Sequence, residues 1–170
     1  QSFETTLHRL RRLIGNDIAI KHQGGQLTLD DKYCWVDTWA FERLIEKAEA
    51  LWKGNESLTS NSQRTARDPH SEIRILHDAI IEAIRLSEKA IDIYKGAFLP
   101  ADTRYLWTVS TRERLRDKFL SLIIMSGNYL EQTGQWQKAT ERYLRAIEID
   151  DLTEEFYQHL MVCHYHLGKK

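Results

Sequence analysis

The sequence predicts a mainly α chain, a stack of antiparallel helix pairs preceded by one helix and a β-hairpin. Three observations carry that reading. Gly134 and Gly168 lie 34 residues apart, and each closes an apolar helix flanked by matched positions. Apolar residues recur at helical spacing through nearly everything after residue 37. Ahead of that stretch, a Gly24-Gly25 pair separates two short extended runs.

At the start of the chain, Phe3, Leu7, Leu10 and Ile14 fall at steps of four, three and four, which predicts a helix with one buried stripe. Thr5, His8, Arg9 and Arg12 occupy the opposite side. Gly15 and Asn16 end the helix, because both tolerate left-handed dihedrals. Residues 18–21 and 26–29 then read as strands joined by His22-Gln23-Gly24-Gly25. A basic amphipathic helix followed by a hairpin is the second half of a winged helix. Residues 1–30 are therefore expected to be the C-terminal part of a winged-helix DNA-binding domain, truncated within that domain, with recognition helix and wing.

Residues 31–170 form the second predicted domain. Trp35 and Val36 are expected to dock the linker onto the first long helix. Asp37 or Thr38 caps that helix, which runs to about Trp52 with Trp39, Leu44, Ala48, Leu51 and Trp52 inward, and Gly54 ends it. Residues 55–70 read as a long polar loop closed by Pro69. Ser71 caps a helix to Tyr94, with Ile73, Leu76, Ile80, Ala83, Ile84, Ala90 and Ile91 buried and Gly96 as its stop. Phe98, Leu99 and Pro100 make a turn whose apolar residues need cover. A helix from Asp102 or Thr103 continues through Leu115, Phe119, Leu122, Ser126, Tyr129 and Leu130 to Gly134. Two more helices cover residues 136–149 and 153–167.

The matched positions sharpen the last part. Gly127 falls where two helices cross, Trp136 follows the turn, and Ala139, Tyr143 and Ala146 share one face. Leu160 takes the place of Ser126, and Tyr157 that of Ile123. The 34-residue spacing is the period of the tetratricopeptide repeat. One such repeat cannot bury its own apolar face, so the segment belongs to a stack.

Composition bounds the function. The net charge of −1 gives no general pull on nucleic acid. Its distribution is uneven, however: Arg9, Arg11, Arg12 and Lys21 against Glu4 and Asp17 leave residues 1–29 at plus two, and the remainder at minus three. No apolar run approaches the ~18 residues of a membrane span. Cys34 and Cys163 match no metal or redox spacing and fit a reducing cytoplasm. No phosphate loop, nucleophile elbow or metal-protease spacing occurs, so neither enzyme activity nor a cofactor is expected. His159, Cys163 and His166 share a helical face without a fourth ligand and read as structural. His70 and His77 read as surface residues. Glu154-Glu155 and Asp150-Asp151 sit at a helix start, where acids complement the dipole.

Several segments in this order resemble the bacterial transcriptional activator domain of antibiotic-regulatory activators. They are Leu7-His8-Arg9-Leu10-Arg11-Arg12-Leu13-Ile14-Gly15, Gly24-Gly25-Gln26-Leu27-Thr28-Leu29 and Val36-Asp37-Thr38-Trp39-Ala40-Phe41. Tyr94-Lys95-Gly96-Ala97-Phe98-Leu99-Pro100, and Trp107 with Arg112-Glu113-Arg114-Leu115-Arg116, complete the set. The resemblance implies a winged helix followed by a tetratricopeptide-like helical domain. The phrase from Leu29-Asp30 to Cys34-Trp35-Val36-Asp37 resembles the subset attached to regulators with a signal-transduction ATPase module.

In such a winged helix the helix before the wing enters the major groove. Arg9 is the candidate for bidentate guanine readout, and Thr5 and Thr6 for base edges or a thymine methyl. His8, Arg11 and Arg12 are candidate phosphate contacts, with Lys21 and His22, beside Gln23, at the wing. The bland alternative is a solvated surface helix on a protein-interaction scaffold without DNA binding. By repeat position, Ser121, Ile124, Asn128, Glu131 and Gln132, then Glu155, Gln158, Val162, Tyr165 and His166, line a concave face. Asn128, Glu131, Gln132, Gln158, Val162 and Tyr165 are its candidate partner contacts. Promoter DNA for the intact protein, RNA polymerase or another subunit, and a homodimer through an exposed strip at Met161 and Tyr165 are the expected partners.

Overall fold

The computed structural model describes residues 2–60, 69–102 and 104–169. The elements are α1 (Phe3–Ile14), a 3-10 turn (Asp17–Ala19), β1 (Ile20–Gln23), β2 (Gln26–Leu29), α2 (Asp37–Ser60), α3 (Pro69–Ile93), α4 (Leu106–Gln132), α5 (Trp136–Ile147) and α6 (Glu154–His166). The chain is mainly helical with one antiparallel two-stranded sheet, in agreement with the fold class read from the sequence. It divides into two compact units, residues 1–40 and 41–170.

In the first unit, Gly15 closes α1 at φ 75°, where its N–H donates to the Arg11 and Arg12 carbonyls. The Asn16 Oδ1 accepts from the Ile18 N–H at 2.9 Å and starts the turn into β1. Gly24 and Gly25 both take positive φ, 59° and 77°, which a two-residue hairpin turn of this hand requires. That turn sets the register: Ile20 opposite Leu29, Lys21 opposite Thr28, His22 opposite Leu27. The apolar core of this unit is small, consisting of Leu7, Ala19 and Ile20.

In the second unit one cluster of buried residues draws on all five helices, with Phe41 and Ile45 of α2, Ala90 and Ile91 of α3, Phe119 and Leu122 of α4, Tyr143 of α5 and Phe156 of α6 among them. Tyr94 stacks on Phe119 at 4.4 Å and lies 5.3 Å from Phe41, tying three segments together. The 34-residue period reappears in the backbone bonds. Gly134 N–H donates to Glu131 and Gln135 N–H to Leu130; Gly168 donates to Tyr165 and Lys169 to His164. Both glycines are left-handed, at φ 72° and 68°. Gly127 marks the α4–α5 crossing. A Cβ there would stand 2.5 Å from the Tyr143 ring, so only glycine lets that ring approach.

The turn between α3 and α4 is held by two side chains of α4. Arg112 of α4 donates to the carbonyls of Phe98 (2.6 Å), Leu99 and Asp102. Thr108 Oγ1 adds bonds to the Asp102 and Tyr105 carbonyls at 3.0 and 2.7 Å. Phe98 meets Trp107 edge-on at 6.0 Å.

Several expectations need correction. Of the stripe Phe3, Leu7, Leu10 and Ile14, Leu7 alone is buried; the others are 50, 41 and 39% exposed, because a single hairpin offers too little surface to cover them. Trp35 is 72% exposed. The first strand starts at Ile20, since the Asn16 turn takes up residues 17–19. Gly54 does not stop α2, which runs on to Ser60, as an isolated glycine costs a helix only ~1 kcal/mol. Pro69 opens α3, where its missing N–H is harmless, so the loop expected over 55–70 is helical at both ends and its middle lies outside the described residues. The inward face of α2 includes Phe41 and Ile45, both fully packed and absent from the expected set. The helix expected from residue 102 or 103 begins at Leu106.

Candidate functional site

Two surfaces hold the residues singled out by the sequence, one in each unit. On α1, Thr5, Thr6, His8, Arg9 and Arg12 are all exposed. Thr5, Arg9 and Arg12 follow at steps of four and three, on the side of the helix away from Leu7. Arg11 and Arg12 also lie in the last turn, where positive charge complements the helix dipole.

The two other expected cations are engaged inside the unit. Arg11 is half-buried, and its Nη2 donates to the Ile20 carbonyl at 2.8 Å, so it braces α1 against β1 and does not stand ready for phosphate. Lys21 Nζ pairs with Asp30 Oδ2 at 2.6 Å. Asp30 Oδ1 also accepts from the Lys32 N–H at 3.1 Å. The Lys21 hydrogen bond, followed by that N–H, holds the Asp30 carboxyl below its usual range, and the same bond raises Lys21. His22 is exposed, with its ring 5.0 Å from that of Phe3.

The second surface is built where α4, α5 and α6 meet. Glu131 is its hub. Its Oε1 lies 2.8 Å from His159 Nδ1 and 3.8 Å from Cys163 Sγ. Tyr143 stacks on the His159 ring at 4.8 Å, and its hydroxyl donates to Asn128 Oδ1 at 3.4 Å. Burial first, and the Glu131 carboxylate second, push the Tyr143 phenol well above its usual value. Burial likewise raises the Cys163 thiol, with Glu131 adding to the effect. This thiol is therefore a packed neutral group and not a reactive thiolate.

His166 departs from the other two ligand-type residues on α6 and stacks on Trp136 at 3.9 Å, nearly parallel. Among the described residues no group of three or more His, Cys, Asp or Glu is arranged to hold a metal ion. Glu131 and Asn128, expected as partner contacts, are partly buried and bonded within the unit. Gln132, Gln158, Val162 and Tyr165 are exposed, Tyr165 at 80%. Met161 is 65% exposed, as the strip around it was expected to be. The Glu131–His159 contact was not legible beforehand: 28 residues and the whole of α5 separate the two, and helical periodicity does not say which residue of another helix a side chain meets.

Among the described residues, no helix is long and apolar enough to cross a membrane. The family model described as bacterial transcriptional activator domain matches residues 36–170. No curated protein and no solved structure matches the chain.

Proposed function

This chain belongs to the bacterial transcriptional activator domain family, and from that premise we propose that it serves a transcription regulator whose first unit reads promoter DNA and whose helical unit recruits a protein partner. The family is a regulatory one, and no catalytic role is part of this reading. The observation that carries it is the division of labour on α1. Arg11 braces the hairpin, while Thr5, Thr6, His8, Arg9 and Arg12 stay exposed on a short helix directly followed by a β-ribbon. That is the arrangement a winged helix uses, with the helix in the major groove and the ribbon beside the backbone. In this reading Arg9 contacts a guanine, Thr5 and Thr6 a base edge, and His8 and Arg12 phosphates. His22, at the wing, approaches the backbone, whereas Arg11 and Lys21 position the parts that touch DNA.

The helical unit then acts as a tetratricopeptide-like stack. Its partner contacts are Gln132, Gln158, Val162 and Tyr165, with Asn128 and Glu131 holding the face in shape. RNA polymerase or a second subunit is the partner class, and a homodimer through Met161 and Tyr165 is the form a second subunit takes.

Arg9→Ala in the full-length protein tests the DNA role. Promoter affinity should fall by about 1–3 kcal/mol with loss of discrimination at one base pair. Arg12→Ala should weaken binding to all sequences alike and reduce the salt slope by about 1. Unchanged affinity and unchanged salt dependence in both variants would leave a protein-interaction scaffold as the reading.

A further inference from the structure

An open cleft of about 640 Å³ lies within the helical unit, between the turn after α3, the first half of α4 and the end of α5. Lys95, Arg112, Arg116 and Arg145 line it with Glu113 and Glu148, four positive charges against two negative, in a chain whose net charge is −1. Its size falls within the roughly 300–1,000 Å³ of small-molecule sites.

The four cations are not equivalent. Arg112 is engaged with three carbonyls of the turn. Arg145 pairs with Glu148 and donates to the Tyr94 carbonyl at 3.2 Å. Arg116 lies 3.7 Å from Asp117 and 3.9 Å from Asp150, too far for hydrogen bonds to either, and its side chain is 46% exposed. Lys95 is exposed and has no hydrogen bond or ion pair among the described residues. One cation without a partner among the described residues, Lys95, and one held only by two longer ion pairs, Arg116, therefore border one cleft. Tyr94 belongs to the same wall: burial raises its phenol, and the charges of Arg116 and Arg145 act on it in the opposite direction.

We propose that this cleft binds a phosphomonoester, with Arg116 taking two phosphoryl oxygens in its planar fork and Lys95 supplying the second charge. A phosphomonoester carries about −1.5 to −2 at neutral pH, more than a carboxylate, and so gains more from the four cations of the lining. The guanidinium fork fits phosphoryl geometry bidentately, and the ammonium acts as a point charge. Glu113 and Glu148 oppose the ligand and keep the site from holding any passing anion. The proposal is independent of the DNA reading of α1.

The test is an NMR titration of the full chain with phenyl phosphate, with sodium chloride at matched ionic strength as control. Amides of residues 95–97 and of Arg116 should shift saturably with phenyl phosphate and not with chloride. In Lys95→Gln/Arg116→Gln the affinity should drop at least tenfold with thermal midpoint and circular dichroism unchanged. Glu113→Gln should tighten binding several-fold, a gain that a misfolded variant does not produce. Equal shifts with chloride, equal affinity in the double variant, or no tightening in Glu113→Gln would overturn the proposal. A phosphoserine peptide that displaces phenyl phosphate identifies a phosphorylated protein as the source; a peptide that fails to displace it identifies a small ester.

Discussion

The two units hold together by different physics. Among the described residues, those in 1–40 bury three apolar side chains and rely on polar ties: Arg11 to the Ile20 carbonyl, Lys21 to Asp30, and the Asp30 N–H to the Ala19 carbonyl at 2.9 Å. The described part of residues 41–170 buries eighteen hydrophobic residues in one cluster, and its interhelical ion pairs, such as Arg142–Glu88 at 3.2 Å, sit at the rim. Burial scales with area and does not depend on pH, whereas hydrogen-bonded ion pairs depend on both pH and salt. The stability of the helical unit should therefore depend less on pH than that of the small unit, which carries the proposed DNA face.

The sharpest way to break this contrast is to attack the large core. Phe119→Ala removes a fully buried ring that stacks on Tyr94, and should cost about 3–5 kcal/mol in urea unfolding of the helical unit. A loss below 1 kcal/mol would mean that the cluster does not hold the unit together. Gly127→Ala comes next, at about 1–3 kcal/mol, because the new methyl meets Tyr143. Tyr143→Phe should not rescue it, since ring carbons as well as the hydroxyl lie within 2.6 Å of the new Cβ. Tyr143→Leu in the same background should make the combined loss smaller than the sum of the single losses.

Polar groups in the large unit matter less. Glu131→Ala leaves the His159 Nδ1 without its acceptor in a partly buried site, and should cost about 1–2 kcal/mol by thermal or urea unfolding. A value near zero would make the hub a surface contact.

The smallest effect, and the one that tests the small unit, is acid dependence. The folded state holds Asp30 below its unfolded value near 4, so its contribution is complete above that value and is lost as pH falls through the lower folded one. Lys21 is raised, so its contribution is complete below about 10.4 and is lost only as pH rises through the still higher folded value. Protection factors of the Lys32 and Cys34 amides, corrected for the intrinsic pH dependence of exchange, should fall on acidification in the parent and stay level in Asp30→Asn, while those of the core amides of α4 do not differ between the two proteins. Identical acid profiles in the two proteins would remove the ion pair from the account.

Local sequence determined the elements where backbone chemistry leaves little choice. Gly15, Gly24, Gly25, Gly134 and Gly168 all take the positive φ that their turns demand, and the apolar spacing through Leu115, Phe119, Leu122 and Leu130, and through Ala139, Tyr143 and Ala146, marks the faces that α4 and α5 bury. Gly127 was legible as a crossing from its small size and its place in the repeat pattern counted back from Gly134. Gly54 and Pro69 misled for the same reason in reverse: a breaker matters only if nothing else holds the helix, and α2 runs through one while α3 starts at the other.

Tertiary structure alone decided which polar groups are exposed and which are drawn inward. Arg9 and Arg11 look alike in sequence, yet the helical turn that separates their directions leaves Arg9 exposed and points Arg11 at a carbonyl nine residues away. Glu131, His159 and Cys163 become one cluster, and Lys95 and Arg116 one cleft, only because helices distant in sequence pack side by side. Periodicity reports which side of a helix is buried. It carries no information about what the neighbouring helix brings to that side.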